Sequence, residues 1–258
     1  MVSVIITSFN SEKFIENAIT SLVNQTFTNW ECIIVDDCSN DNTLNIILRV
    51  IQDDNRFIAV KLNHNSGGPA RPRNIGVSLS KGEFISFLDA DDFWSPDKLL
   101  YQFKFLSSNE LKYCICSTER FIVYSYSLIK NPVKLSDLSF MEIDSKDINE
   151  QNVLYLSSVM IRREVIRNFK FNESSSFSFV EDYLLWNEIL QVTKSVAAKL
   201  NIKALYYRSH DFNYSSDKIM MAKGILRVSY LLKNLNMLHF LFFGFKLLLK
   251  WSIRRGAR

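Results

Sequence analysis

Phe84-Ile85-Ser86-Phe87-Leu88-Asp89-Ala90-Asp91-Asp92 decides how this chain is read. Residues suited to a buried strand run straight into three carboxylates. A strand that ends this way carries acidic groups at its C-terminal tip, and in an open α/β sheet that tip faces the ligand crevice. Carboxylates set so close repel one another unless a cation sits among them. Hard divalent ions take oxygen ligands and are often shared with a substrate's phosphates. Taken alone, the segment also fits an acidic turn leading into a helix that opens at Ser95-Pro96-Asp97.

Outward from that segment, apolar periodicity predicts strands over 2–7, 31–35, 57–62 and 83–88. Amphipathic helices are expected between them, over 11–27, 41–51 and 73–80. Ile15, Ala18, Ile19, Leu22 and Val23 form the inward face of the first helix; Leu44, Ile47 and Leu48 form that of the second. Alternating strand and helix predicts an α/β fold with a mostly parallel sheet sandwiched by helices. The second half is less regular. Strands are expected over 112–118, 121–127, 153–161 and 204–208, and a helix over 180–192. Residues 130–150 read as a polar loop or short elements, and the chain reads as helical after 217.

Each early strand ends in polar residues: Thr7-Ser8-Phe9-Asn10, Asp36-Asp37-Cys38-Ser39 and Asp89-Ala90-Asp91-Asp92. The third is followed by Asn65-Ser66-Gly67-Gly68, then Arg71 and Arg73. The crevice rule gathers these tips into one site. Carboxylates there can accept from a base or ribose, and arginine can pair with phosphate in bidentate fashion. Asp36-Asp37 alone also fits a capping turn into Asn42. The glycine pair matches neither the dinucleotide fingerprint nor the P-loop, which counts against both of those classes.

VSVIITSFN, QTFTNWECIIVDDCSNDNT, NSGGPARPRNIG and KGEFISFLDADDFWSPDKL together resemble the family 2 nucleotide-sugar glycosyltransferases of GT-A fold. The nearest flavour is the non-processive enzymes of bacterial surface polysaccharides such as capsule and lipopolysaccharide. Weaker likeness resumes at SSVMIRREVI, VEDYLLW and YYRSHDFNYSSDK. The resemblance implies an inverting, metal-dependent transfer from a nucleotide-diphosphate sugar, a UDP-sugar first, to a glycan or lipid-linked saccharide acceptor. It implies that Thr7 and Asp37 contact the base, with Asn10 and Asp36 close by, and that Arg73 lies near the diphosphate. Asp89 and Asp91 would ligate Mn2+ or Mg2+, with Asp92 accessory. Asp182 would be the general base. Arg208 and His210 would lie near the diphosphate or the metal. Pro69 and Pro72 bracket Arg71 where the family usually carries small residues, so the choice between Arg71 and Arg73 at the diphosphate stays open. A non-catalytic nucleotide-sugar binder and a nucleotidyltransferase are the competing classes. Trp94 and Trp186 fit packing or an acceptor site equally.

Composition is that of a folded protein of one large α/β domain, with scarce Gly and Pro. The division expected is a catalytic domain over 1–217, with a nucleotide-sugar half over 1–106 and an acceptor half over 107–217, and a tail over 218–258. Cys32, Cys38, Cys114 and Cys116 read as reduced packing residues of a cytosolic protein. Cys114-x-Cys116 is too tight for the usual zinc spacing, and its two side chains are expected on opposite faces of a strand. No leader is expected ahead of the first strand. The tail holds nine Lys or Arg and no Asp or Glu, leaving 22 basic against 27 acidic residues elsewhere. MLHFLFFGFKLLLKW at 237–251 is too short to span a bilayer. It fits a basic amphipathic helix lying on an anionic membrane, here the cytoplasmic face of a bacterial inner membrane. No nucleic acid partner is implied.

Overall fold

A computed structural model describes residues 1–109, 112–126, 138–150, 152–209 and 218–233. Strands Val2–Ser8 (β1), Trp30–Asp36 (β2), Phe57–Lys61 (β3) and Phe84–Asp89 (β4) pair in parallel in the order β3-β2-β1-β4. Val4, Ile6, Ile34 and Leu88 meet one set of helices, while Ile5, Ile85 and Phe87 meet another. Burial on both faces is why β1, β2 and β4 read as near-continuous apolar runs, whereas the edge strand β3 is largely exposed. Between them run helices Ile15–Val23 (α1), Thr43–Ile51 (α2) and Ala70–Leu79 (α3). The α/β sandwich expected from the alternation is therefore present.

Helices α1 and α2 start later than their apolar pattern suggested because their leading residues bond to each other. Ser11 N donates to Thr43 Oγ1 at 2.7 Å, Glu12 N to Asp41 Oδ2 at 3.1 Å and Asn42 N to Glu12 Oε2 at 3.1 Å. Val23 and Leu48, expected inward, are exposed at the ends of their faces. Helix α3 starts three residues earlier than expected. Pro72 is tolerated there because first-turn amides lack intrahelical partners anyway. Gly76 lets α3 approach β1: a Cβ there would lie 2.5 Å from Ile5 Cγ2.

The second half supplies Phe93–Trp94 (β5), Lys98–Ser108 (α4), Tyr113–Val123 (β6), Phe140–Ile143 (β7) and Ser145–Glu150 (α5). Met160–Arg162 (β8), Arg163–Ile166 (α6), Glu181–Thr193 (α7), Val196–Arg208 (β9) and Lys218–Lys233 (α8) follow. The sheet continues β4-β8-β6-β9-β5, with β7 on β9. Strand β8 is antiparallel to β4 and β6, while β6 and β9 are parallel.

The expected strands over 112–118 and 121–127 are one strand, β6. Pairing with β9 carries it through the polar Thr118-Glu119-Arg120 by way of register shifts. Another shift, between Tyr113 and Ile115, puts Cys114 in one apolar cluster and Cys116 in the other. Regular alternation would have put both on one face, so the bulge is what separates them. The strand expected over 153–161 is interrupted by a 3-10 turn, Leu156–Ser158, and pairs only from Met160 onward, as β8. Within 130–150, residues 138–150 form β7 and α5; the remainder lies outside the described residues, as does 237–251. No helix among the described residues is long and apolar enough to cross a membrane.

Candidate active site

The C-terminal tips of β1, β2 and β4 lie side by side, with Thr7 in register with Val35 and Asp89, and Ser8 with Asp36. Thr7 is half-buried and Asn10 is exposed in the left-handed region at φ 49°, a conformation asparagine tolerates better than most residues. Asn10 staples the two tips: its N–H donates to Ser39 Oγ at 2.9 Å, and its Oδ1 accepts Asn40 N–H at 2.9 Å.

Asp36 is buried and accepts from Ser8 Oγ (3.0 Å), Ser39 Oγ (2.5 Å) and Ser39 N (3.0 Å). Asp37 accepts from Ser66 N at 2.9 Å, Ser66 Oγ at 2.8 Å and Asn65 Nδ2 at 3.1 Å. Burial raises the Asp37 carboxyl above its ordinary range, with the Ser66 bonds pulling it back. Hydroxyls and amides hold both groups, and neither forms an ion pair among the described residues.

Past β4 the chain turns sharply. Asp92 N–H donates to Asp89 O at 3.1 Å, and Asp92 points inward, where its Oδ1 accepts Arg208 N–H at 3.1 Å. Burial, then the charges of Asp91 and Asp89, push the Asp92 carboxyl well above its usual range. Arg208, at the end of β9, donates through Nε to Asp91 O at 3.0 Å and through Nη2 to Asn17 Oδ1 at 2.9 Å. Its guanidinium lies over the Phe14 and Phe93 rings. Asp92 and Arg208 therefore brace the turn.

Asp89 faces outward with 35% of its side chain exposed. Its Oδ1 pairs with Arg73 Nη2 at 2.9 Å, and its other oxygen has no partner among the described residues. Arg73 is buried and also pairs with Glu181 Oε1 at 2.5 Å. Burial alone would depress the guanidinium, but Asp89 and Glu181 raise it above its ordinary value. Arg73 is thus held in an ion triad with buried Glu181 and partly exposed Asp89. Arg71 is the exposed cation at this end of α3, 3.3 Å from His64 Nε2.

Asp182 sits in the first turn of α7, one residue after Glu181, and its Oδ1 accepts its neighbour's N–H from Tyr183 at 2.7 Å. Burial first, then the Glu181 charge, push its carboxyl up to about 7; Arg73 opposes the shift. Tyr183, Leu184, Leu185 and Trp186 anchor the helix in the core. Trp186 and Trp94 are both fully buried, so packing accounts for them. Glu181 Oε2 is buried without a partner among the described residues.

The structure thus brings Thr7, Asn10, Asp36 and Asp37 to one corner, and Arg73, Asp89, Asp91 and Asp182 to another; His210 lies outside the described residues. Sequence reading missed Glu181 as the second carboxylate on Arg73, and missed Ser157 behind the acidic turn. Their only signals were position: Glu181 is adjacent to Asp182, and Ser157 opens SSVMIRREVI. Among the described residues no three His, Cys, Asp or Glu side chains converge as a self-sufficient metal cage. The free Asp89 oxygen and its partial exposure nevertheless suit a hard cation that completes its shell with phosphate and water.

The family model for glycosyl transferase family 2 matches residues 3–169. This chain belongs to glycosyltransferase family 2. It is 31% identical over 91% of its length, and 86% of the relative's, to the Escherichia coli UDP-Glc:alpha-D-GlcNAc-diphosphoundecaprenol beta-1,3-glucosyltransferase WfaP. Among solved structures, Staphylococcus aureus TarS 1–349 in complex with UDP-GlcNAc superposes with a TM-score of 0.70 at 22% identity, covering 93% of this chain and 69% of that one. The Pyrobaculum calidifontis mannosyltransferase PcManGT in complex with GDP-Man and Mn2+ gives 0.68 at 16% identity, covering 88% and 62%. The architecture is GT-A, and the chain is a glycosyltransferase.

Proposed function

We propose that this glycosyltransferase moves a sugar from a UDP-sugar, with inversion, onto a hydroxyl of a surface-glycan precursor carried on a lipid diphosphate. One observation carries the reading. A carboxyl raised to about 7 stands at the helix N-terminus beside the Arg73–Asp89 pair, at the crevice end of the sheet. A base is most effective when its pKa lies near working pH. Asp182 takes the proton of the attacking hydroxyl as that oxygen bonds to the anomeric carbon. The carbon–oxygen bond to the diphosphate breaks, and its electron pair leaves with UDP. A single displacement inverts the anomeric centre.

Thr7 and Asp37 bind the base, with Asn10 and Asp36 holding the corner in shape. Arg71, exposed and without a carboxylate partner among the described residues, takes the diphosphate in place of Arg73. Asp89 and Asp91 would hold Mn2+ or Mg2+, whose Lewis acidity offsets the charge left on the diphosphate. The Mn2+ in the mannosyltransferase structure and the lipid diphosphate in the name of WfaP support the cation and the acceptor class. The basic tail is read as the membrane contact. Deleting 237–258 is expected to release the protein from anionic vesicles; unchanged partitioning would remove that part of the reading.

The decisive experiment incubates the purified protein with UDP-sugars, Mn2+ and a saccharide diphospholipid, and reads product configuration by NMR. Transfer with inversion that needs metal and is lost in Asp182→Asn is expected. Retention of configuration, or full turnover in Asp182→Asn, would sink the mechanism.

A further inference from the structure

Strand β8 pairs with β4 only as far as Met160 opposite Ser86. Continued by the same register, the ladder would place Ser157 opposite Asp89. Instead the backbone there winds into the 3-10 turn Leu156–Ser158, which takes the partner strand away just where the acidic turn begins. A strand edge left this way exposes unpaired amides. One hydroxyl fills the gap: Ser157 Oγ accepts the Asp89 N–H at 3.1 Å, and it also draws the Asp92 carboxyl down against the effect of burial.

That hydroxyl is itself held rigidly. Ser157 is buried; Trp94 Nε1 donates to its carbonyl at 2.7 Å, and Gln102 Nε2 donates to Ser158 O at 2.8 Å and Cys116 O at 2.7 Å. Trp94 and Gln102 are fully buried as well. The turn is thus clamped from β8's leading turn at Asp89 N, and from β9 at Asp91 O and Asp92 through Arg208.

We infer that Ser157 is a positioning residue for metal and nucleotide binding: its hydroxyl stands in for the missing strand and fixes the height at which Asp89 and Asp91 present their carboxylates. It touches neither donor nor acceptor. The inference rests on the proposed site for its functional side, whereas its structural side can be read without ligand.

The test compares Ser157→Ala with Ser157→Thr, which keeps the hydroxyl. Amide exchange at Asp89, followed by NMR on the ligand-free protein, should speed up roughly tenfold in Ser157→Ala, as expected for loss of one buried hydrogen bond. Ile5 in β1 should stay protected. In calorimetry with UDP, the Mn2+ concentration for half-saturation should rise by a similar roughly tenfold factor in Ser157→Ala and stay within about twofold in Ser157→Thr. Parent-like Asp89 exchange in Ser157→Ala, or equal losses in both variants, overturns the inference. If Ser157→Ala does not fold, Trp94→Phe removes the donor to Ser157 O and keeps a ring. Faster Asp89 exchange there supports the inference, and unchanged exchange overturns it. A parent protein that binds no UDP would defeat the proposed function while leaving the exchange result to stand on its own.

Discussion

Two acidic corners share one crevice and are built on opposite terms. Around Asp36 and Asp37, serine hydroxyls, an asparagine amide and backbone N–H groups satisfy the carboxylates, and neither forms an ion pair among the described residues. Around Asp89, Glu181 and Asp182, partly buried charge is balanced by one arginine, with an orphan oxygen on Glu181 and a free one on Asp89. The first corner has fixed acceptors in fixed places, as recognition requires. The second is unfinished: its charge can change when a ligand or proton arrives. Groups that are satisfied internally shape a site, and groups left short do its chemistry.

That contrast makes measurable claims. The largest concerns Asp182→Asn: turnover should fall by roughly 10²–10⁴ while UDP affinity holds, the range expected for loss of a general base. A loss of UDP binding instead would move Asp182 into the recognition corner. Next is Arg73→Met, which leaves buried Glu181 and partly exposed Asp89 without their cation. Urea denaturation should show a loss of about 3–5 kcal/mol; a change under 1 kcal/mol would mean the triad is solvated.

A pH series sharpens the contrast further. The folded chain holds the Asp182 proton up to about 7, whereas an unfolded aspartate releases it near 4. Stability from the neutral carboxyl is therefore complete below pH about 4 and lost as pH rises through about 7, by up to about 1.4 kcal/mol per unit. Under the proposed mechanism turnover is expected to run the other way, rising through the same pH as Asp182 ionises. Asp182→Asn should abolish that slope and be the more stable protein at pH 8. A slope retained in the variant would assign it to another group. The smallest effect is expected at Asp37→Asn, with UDP binding weaker by roughly tenfold and kcat within about twofold. A kcat collapse there would erase the distinction between the corners.

The parallel half was legible because every link in it is local. VSVIIT, ECIIV and FISFL can only be strands buried on both sides, and each tip follows directly from its strand. The second half hid its rules in pairing. Nothing in Thr118-Glu119-Arg120 announces that β9 will carry a strand through it, or that a bulge will part Cys114 from Cys116. The acidic turn could be read, but not its division of labour: Asp92 facing inward depends on Arg208, which is distant in sequence. That Arg73 pairs with Glu181 could not be read either, because the two lie 108 residues apart. Long-range partners decide whether a charged side chain meets ligand or protein, and periodicity carries no record of them.

The docking of α8 has a practical side. Gly224 comes so close to Val180, the residue just ahead of Glu181, that a Cβ on it would lie 2.7 Å from Val180 Cγ2. Arg227 reaches Ser176 O at 2.8 Å, and Val228 is fully buried against the same helix cluster. Anyone trimming the basic tail to obtain a better-behaved sample for crystals or assays has a boundary to respect. A cut after 233 keeps the wedge behind the helix that carries Asp182, whereas a cut at 217 removes it and opens an apolar face beside the very carboxylate the sample was made to study.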